Sequence, residues 1–170
     1  SSDNHNNFSF NKRENKIEYQ EAQYNIPQAD QIQWHWLVVP AGERYAVKFS
    51  DGTTVTINSN TTLRYPTSFP AEGERVVELN GEAYFEVAHD SLRPFIVHSA
   101  QAYTRVLGTQ FNIRARQQLL TEITLVDGSV AVKLPAESWD NAVRLSPNES
   151  CTVRNGEITV QQVDVMKYTA

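Results

Sequence analysis

Cysteine is almost absent from this chain: Cys151 is the single thiol in 170 residues. One sulfur cannot form an intrachain disulfide. Its neighbours Ser150 and Thr152 offer no charge that would favour a thiolate, so the position reads as a small, half-buried strand residue. Long apolar runs are missing too, and none approaches the roughly 20 residues that cross a bilayer. Cationic charge is thin: 15 Lys and Arg stand against 20 Asp and Glu, for a net charge of −5, and the cations are scattered. This argues against nucleic acid, whose phosphates are bound by clustered cations that release counterions. Arg114 and Arg116 share one strand face, which reads as a solvated face. The first ten residues lack the cationic and apolar regions of a signal peptide. With its start at Ser1-Ser2-Asp3-Asn4, the chain reads as a fragment or a processed product.

Catalytic patterns are equally scarce. There is no Gly-x-Ser-x-Gly elbow, no phosphate-binding loop and no His-Glu-x-x-His run. Glu82 and Glu86 fall on one face of a strand, but four residues of strand span about 13 Å, too far for a glycosidase pair unless Glu78 on a neighbouring run joins one of them. His89 and His98 flank a loop closed by Pro94 and could approach each other, yet no clustered ligand set accompanies them. No catalytic residue, metal site, cofactor or bound small molecule is expected. Trp34, Trp36 and Trp139 leave a carbohydrate-binding or adhesin-like β domain as the alternative, since tryptophan rings stack on sugars. Packing in the core or at its rim is the plainer reading of Trp34 and Trp36.

What the chain does have is alternation. Tyr45, Val47 and Phe49 alternate with polar neighbours, as do Ala83, Phe85 and Val87, then Phe111, Ile113 and Ala115, then Val130, Val132 and Leu134. A period of two marks strands with one face in a core and one in water. Asp51-Gly52, Asn80-Gly81, Asp127-Gly128 and Asn155-Gly156 separate β-rich runs and suit the positive φ of hairpin turns. No segment carries a helical stripe. Residues 1–33 are rich in Asn, Gln, Glu and Lys with few aliphatics, which predicts a polar linker or arm. The expected fold is all-β: a sandwich-like or jelly-roll-like domain over 34–165, of about a dozen short, mostly antiparallel strands.

The motif order resembles the FecR family of transmembrane sigma-factor regulators, in its extracytoplasmic portion. The resemblance rests on Val39-Pro40-Ala41-Gly42-Glu43, Ser50-Asp51-Gly52-Thr53-Thr54-Val55, Leu63-Arg64-Tyr65-Pro66, Glu74-Arg75-Val76-Val77-Glu78-Leu79, Gly81-Glu82-Ala83-Tyr84-Phe85-Glu86-Val87, Arg93-Pro94-Phe95, Val106-Leu107-Gly108-Thr109-Gln110-Phe111-Asn112-Ile113 and Val126-Asp127-Gly128. It implies the periplasmic part of a single-pass inner-membrane anti-sigma factor. Its partners would be the signalling domain of a TonB-dependent outer-membrane receptor and, through a cytoplasmic region outside this sequence, an extracytoplasmic-function sigma factor. Residues 166–170 would begin a further C-terminal segment.

The motif residues themselves are expected to serve the fold. Gly52, Gly81, Gly108 and Gly128 suit turns or close backbone approaches. Phe85, Phe95 and Phe111 suit the core. Thr109 and Asn112 suit hydrogen bonds to backbone groups at strand ends. Gly42, Asp51, Thr53, Tyr65, Pro66, Glu82 and Pro94 complete the set, and partner-binding residues are left unassigned.

Overall fold

The structure, a computed structural model, describes residues 8–11, 16–19, 32–116 and 120–169. The described residues form fifteen strands, thirteen of them from Trp34 onward. Among the described residues the only helical pieces are a 3-10 turn at Trp139–Asn141 and one turn at Met166–Thr169. Every strand pairing is antiparallel except β2 with β4 and β7 with β8.

Two sheets share one long strand. Sheet A runs in the order β1 (Phe8–Asn11), β2 (Lys16–Tyr19), β4 (Tyr45–Lys48), β5 (Thr54–Ile57), β7 (Arg75–Glu86), β10 (Gln110–Ala115), β11 (Thr121–Asp127), β14 (Glu149–Arg154), β15 (Glu157–Gln162). Sheet B runs β3 (Trp34–Val39), β6 (Thr61–Pro66), β7, β8 (Phe95–His98), β9 (Tyr103–Val106), β12 (Val130–Lys133), β13 (Val143–Leu145). The first half of β7 pairs in sheet B and the second half in sheet A. The result is one sheet bent back on itself around its core, close to a barrel.

The bend sits at Asn80-Gly81, which is therefore not the hairpin turn that the dipeptide suggests. Gly81 has φ +131°, and a Cβ there would lie 2.8 Å from Thr61 Cα. Only glycine allows both the conformation and the approach. Asp127-Gly128 is not a hairpin either: β11 belongs to sheet A and β12 to sheet B, so this turn carries the chain across the core. Asp51-Gly52 and Asn155-Gly156 do close hairpins. In the latter, both loop residues have positive φ, 51° and 74°, the geometry that matches strand twist.

The core lies between the sheets. Val47, Val55, Phe85, Phe111, Ile113 and Ile123 enter from sheet A, and Leu63, Val77, Phe95, Val97 and Val132 from sheet B. Phe85 stacks on Phe111 with ring centroids 4.9 Å apart, and the aromatic chain continues through Phe95 and Phe69 to Phe49 and Tyr65. Cys151 is fully buried, beyond the half-burial expected, and that burial pushes its thiol pKa up to about 12. Strand β12 departs from simple alternation. All four of its residues are buried, because the segment after it folds over its outer face.

The polar N-terminal segment contributes structure where it is described. Strands β1 and β2 form an antiparallel pair, and β2 adds to the β4 edge in parallel.

Candidate functional site

One end of the molecule is organised by a buried arginine to which the motif reading gave no role. Arg75 opens β7 in the same inward register as Val77 and Leu79. Its Nη1 donates to Asp51 Oδ2 at 2.8 Å and to the Ala88 carbonyl at 2.9 Å. Its Nε donates to the Arg93 carbonyl and its Nη2 to the Leu107 carbonyl. The guanidinium lies 5.5 Å from the centroid of Phe95. Asp51 also accepts from the backbone N–H and the hydroxyl of Thr53, and Thr53 Oγ1 in turn accepts from the Ala88 N–H. Four hydrogen bonds from a planar cation are thereby made to one carboxylate and three carbonyls, which is how a buried charge is tolerated.

Several motif residues gather at this hub. Gly108 packs on His89, where a Cβ would come within 2.6 Å of the His89 backbone. Thr109 donates to the Ser129 carbonyl, and Gly128 sits against Thr109. Pro94 supplies the carbonyl that accepts from the Arg75 N–H. A second group forms around the bend. Glu82 accepts from Asn58 and from Asn112, both through side-chain amides, so Asn112 bonds a carboxylate and not the backbone expected. Thr61 Oγ1 accepts from the Glu82 N–H at 3.0 Å. Gly42 forms an exposed turn between Pro40 and Glu43, while Tyr65 and Pro66 are buried at the end of β6.

Neither the candidate carboxylate pair nor the two histidines converge on each other. Glu78 lies on β7 itself, not on a neighbouring run, and Glu82 is consumed by its two amides. His89 packs at the hub while His98 stacks on Tyr103 in sheet B. Among the described residues no group of three His, Cys, Asp or Glu is placed to hold a metal.

The outer face of sheet B is different in kind. Strand register lines up Trp36, Arg64, Glu78, His98, Tyr103 and Lys133 in one row across six strands. Trp34 and Trp36 point outward, 42% and 66% exposed, with Val38 beside them. Of the expected packing in the core or at its rim, the core is excluded: both rings share the outward face of β3, against Arg64, and the inward positions are His35, Leu37 and Val39. Arg64 lies 4.3 Å from the Trp34 ring centroid and 5.6 Å from that of Trp36, and pairs with Glu78 at 2.7 Å. His98 stacks on Tyr103 with centroids 3.9 Å apart. Burial holds the His98 imidazole below its ordinary range and Lys133 lowers it further, against the upward pull of Glu78 and Glu74. Lys133 Nζ donates to the carbonyls of Leu134, Pro135 and Glu137 and faces the rings of Tyr103 and Trp139, which folds that segment down as a wall. Between this wall and Trp36 runs a groove of about 600 Å³, floored by Thr62, Glu78, Asn80 and His98.

Sheet A has an edge of its own. Among the described residues β15 pairs only with β14, and it is largely exposed, Val160 included. Among the described residues no helix is long and apolar enough to cross a membrane.

Comparison with known proteins places this architecture. The FecR protein family matches residues 36–131. Two solved structures of a candidate anti-sigma factor from Parabacteroides distasonis ATCC 8503, at 2.50 Å and 1.65 Å resolution, are 39% and 40% identical to this chain. They superpose with TM-scores of 0.73 and 0.72 over 81% and 79% of it. The chain spans 63% of the length of each of those proteins. No curated protein matches. With more than half of its length matched by the family, and with the fold shared at this level of identity, the chain belongs to the FecR protein family.

Proposed function

We propose that this chain is the periplasmic sensor portion of a membrane-anchored anti-sigma factor. It relays the state of a TonB-dependent outer-membrane receptor to an extracytoplasmic-function sigma factor. The observation that carries the reading is the family match over residues 36–131, joined to 39% identity with a candidate anti-sigma factor across 81% of the chain. The arrangement of polar groups agrees with a non-catalytic module. The Arg75 hub and the Glu82 group spend their hydrogen-bonding capacity on internal partners, which suits holding loops in place more than attacking a substrate.

In this reading the β domain transmits state to or from a partner through an exposed surface. Strand β15 is an edge strand among the described residues and is our candidate for strand addition, in which a partner's extended segment satisfies the unpaired backbone groups. The decisive experiment is a pull-down of the receptor's periplasmic signalling domain with this chain and with a longer version extended beyond Ala170. Capture by either version supports the relay, and capture by the 170-residue chain alone places recognition on the β domain. If neither version captures the receptor domain, the reading fails. Hydrogen exchange at Glu157–Gln162 that is unchanged by receptor binding would remove β15 as the contact.

A further inference from the structure

The outer face of sheet B carries a built groove that the relay does not require. We propose that this groove, between Trp36 and the Tyr103–Pro135 wall, binds a neutral oligosaccharide.

The argument is chemical. The flanks are aromatic, and the floor is a set of hydrogen-bonding groups: the Glu78 carboxylate, the Asn80 amide, the His98 imidazole and the Thr62 hydroxyl. A partner with a purely apolar surface would strip water from these groups without replacing its hydrogen bonds, at a cost per group comparable to a lost hydrogen bond. A sugar ring does not pose that problem. Its hydroxyls both donate and accept around the rim, and its C–H face is weakly positive and suits the negative face of an indole ring such as that of Trp36.

The groove is also pre-organised. Arg64 is fixed between the two tryptophans and Glu78, so the carboxylate is oriented before any ligand arrives. The His98 ring is held flat against Tyr103, and Lys133 pins the wall through three carbonyls. Groups fixed in this way lose little freedom on binding, which favours affinity for a flexible, polar ligand. The volume of about 600 Å³ falls in the range of small-ligand sites and exceeds what one sugar ring fills. Trp36 is 66% exposed at the edge of this groove, so much of its ring surface is open to a ligand.

The test is a titration of the 170-residue chain with maltotriose, cellotriose, xylotriose and mannotriose. Binding is followed by tryptophan fluorescence and by calorimetry. At least one sugar should give a saturable response, lost in Trp36→Ala and weakened about tenfold or more in Glu78→Gln, which removes a charge-assisted hydrogen bond. Circular dichroism should find both variants folded, with melting temperatures close to that of the parent. Absence of a saturable response from all four sugars overturns the proposal. So does a response that survives in a folded Trp36→Ala variant. Calorimetric binding of an extended hydrophobic decapeptide with none of the sugars reassigns the face to a protein partner and overturns it as well. No receptor enters this experiment, so its failure leaves the relay reading where it stands, and failure of the relay leaves the groove to be judged by sugar binding alone.

Discussion

The molecule contains the same three-part assembly twice, an arginine, a carboxylate and an aromatic ring, in two opposite settings. At the hub, Arg75 and Asp51 meet at 2.8 Å beside Phe95, with side chains 0% and 7% exposed. On the outer face of sheet B, Arg64 and Glu78 meet at 2.7 Å beside Trp34 and Trp36, with side chains 28% and 42% exposed. The bond lengths are almost equal, so geometry does not distinguish them. Solvent does. In the hub every polar group answers to another inside the protein, and removing one leaves a charge stranded in a medium that cannot hydrate it. On the face, water replaces whatever is removed. One assembly therefore holds the fold, and the other is free to serve as a surface.

Substitution separates the two. Asp51→Ala should cost roughly 3–5 kcal/mol in urea denaturation, because the Arg75 charge stays buried without its carboxylate. The double variant Arg75→Met, Asp51→Leu should recover only part of that loss, since the carbonyls of Ala88, Arg93 and Leu107 lose their donor. A loss under about 1 kcal/mol for Asp51→Ala would place this pair with surface ion pairs and end the contrast. Glu78→Ala should cost about 0.2–1 kcal/mol at most, and less in high salt, because both partners are partly hydrated. A salt-insensitive loss several times larger would mean that the outer pair is also structural.

The smallest effect concerns His98. Its folded pKa lies below the unfolded value, so as pH falls below about 6.5 the unfolded chain takes up the proton first. The contribution of His98 to stability is therefore complete above that pH and declines as pH drops toward the folded value. Glu78 and Glu74 oppose the depression and Lys133 adds to it. His98→Asn should flatten the pH dependence of the melting temperature on the acidic side of neutrality. An unchanged slope in that variant would assign the dependence to other groups.

These contrasts also explain what was legible in the residues. The inward sets Ala83–Phe85–Val87 and Phe111–Ile113–Ala115 are readable because strand alternation is local, and every member is buried. Asn155-Gly156 is readable for the same reason: its hairpin is complete within a few residues. Asn80-Gly81 carries an identical signal but marks a bend, because a left-handed backbone position serves a turn and a kinked strand equally well, and the choice lies with Thr61 from another strand. Arg75 escaped because its acceptors lie 13, 18, 24 and 32 residues away along the chain. A charge at an inward register position between apolar neighbours was the available signal. The row from Trp36 to Lys133 draws on six strands and exists only once sheet order is known, although three outward apolar residues in β3 already hint that this face is unusual.

The order of sheet A has a mechanical consequence. The chain enters that sheet at one edge, through β1 and β2, and leaves it from the other, through β15. A force pulling the two ends apart runs across the strands, along the line of their hydrogen bonds, and opens them one ladder at a time like a zipper. Sheet B is tied to that path through β7, which both sheets share, and through β3, which follows β2 in the chain. Tension on the chain would peel the edges of sheet A first and, once β2 is released, would pass to β3, the strand that carries Trp34 and Trp36 on the face of sheet B.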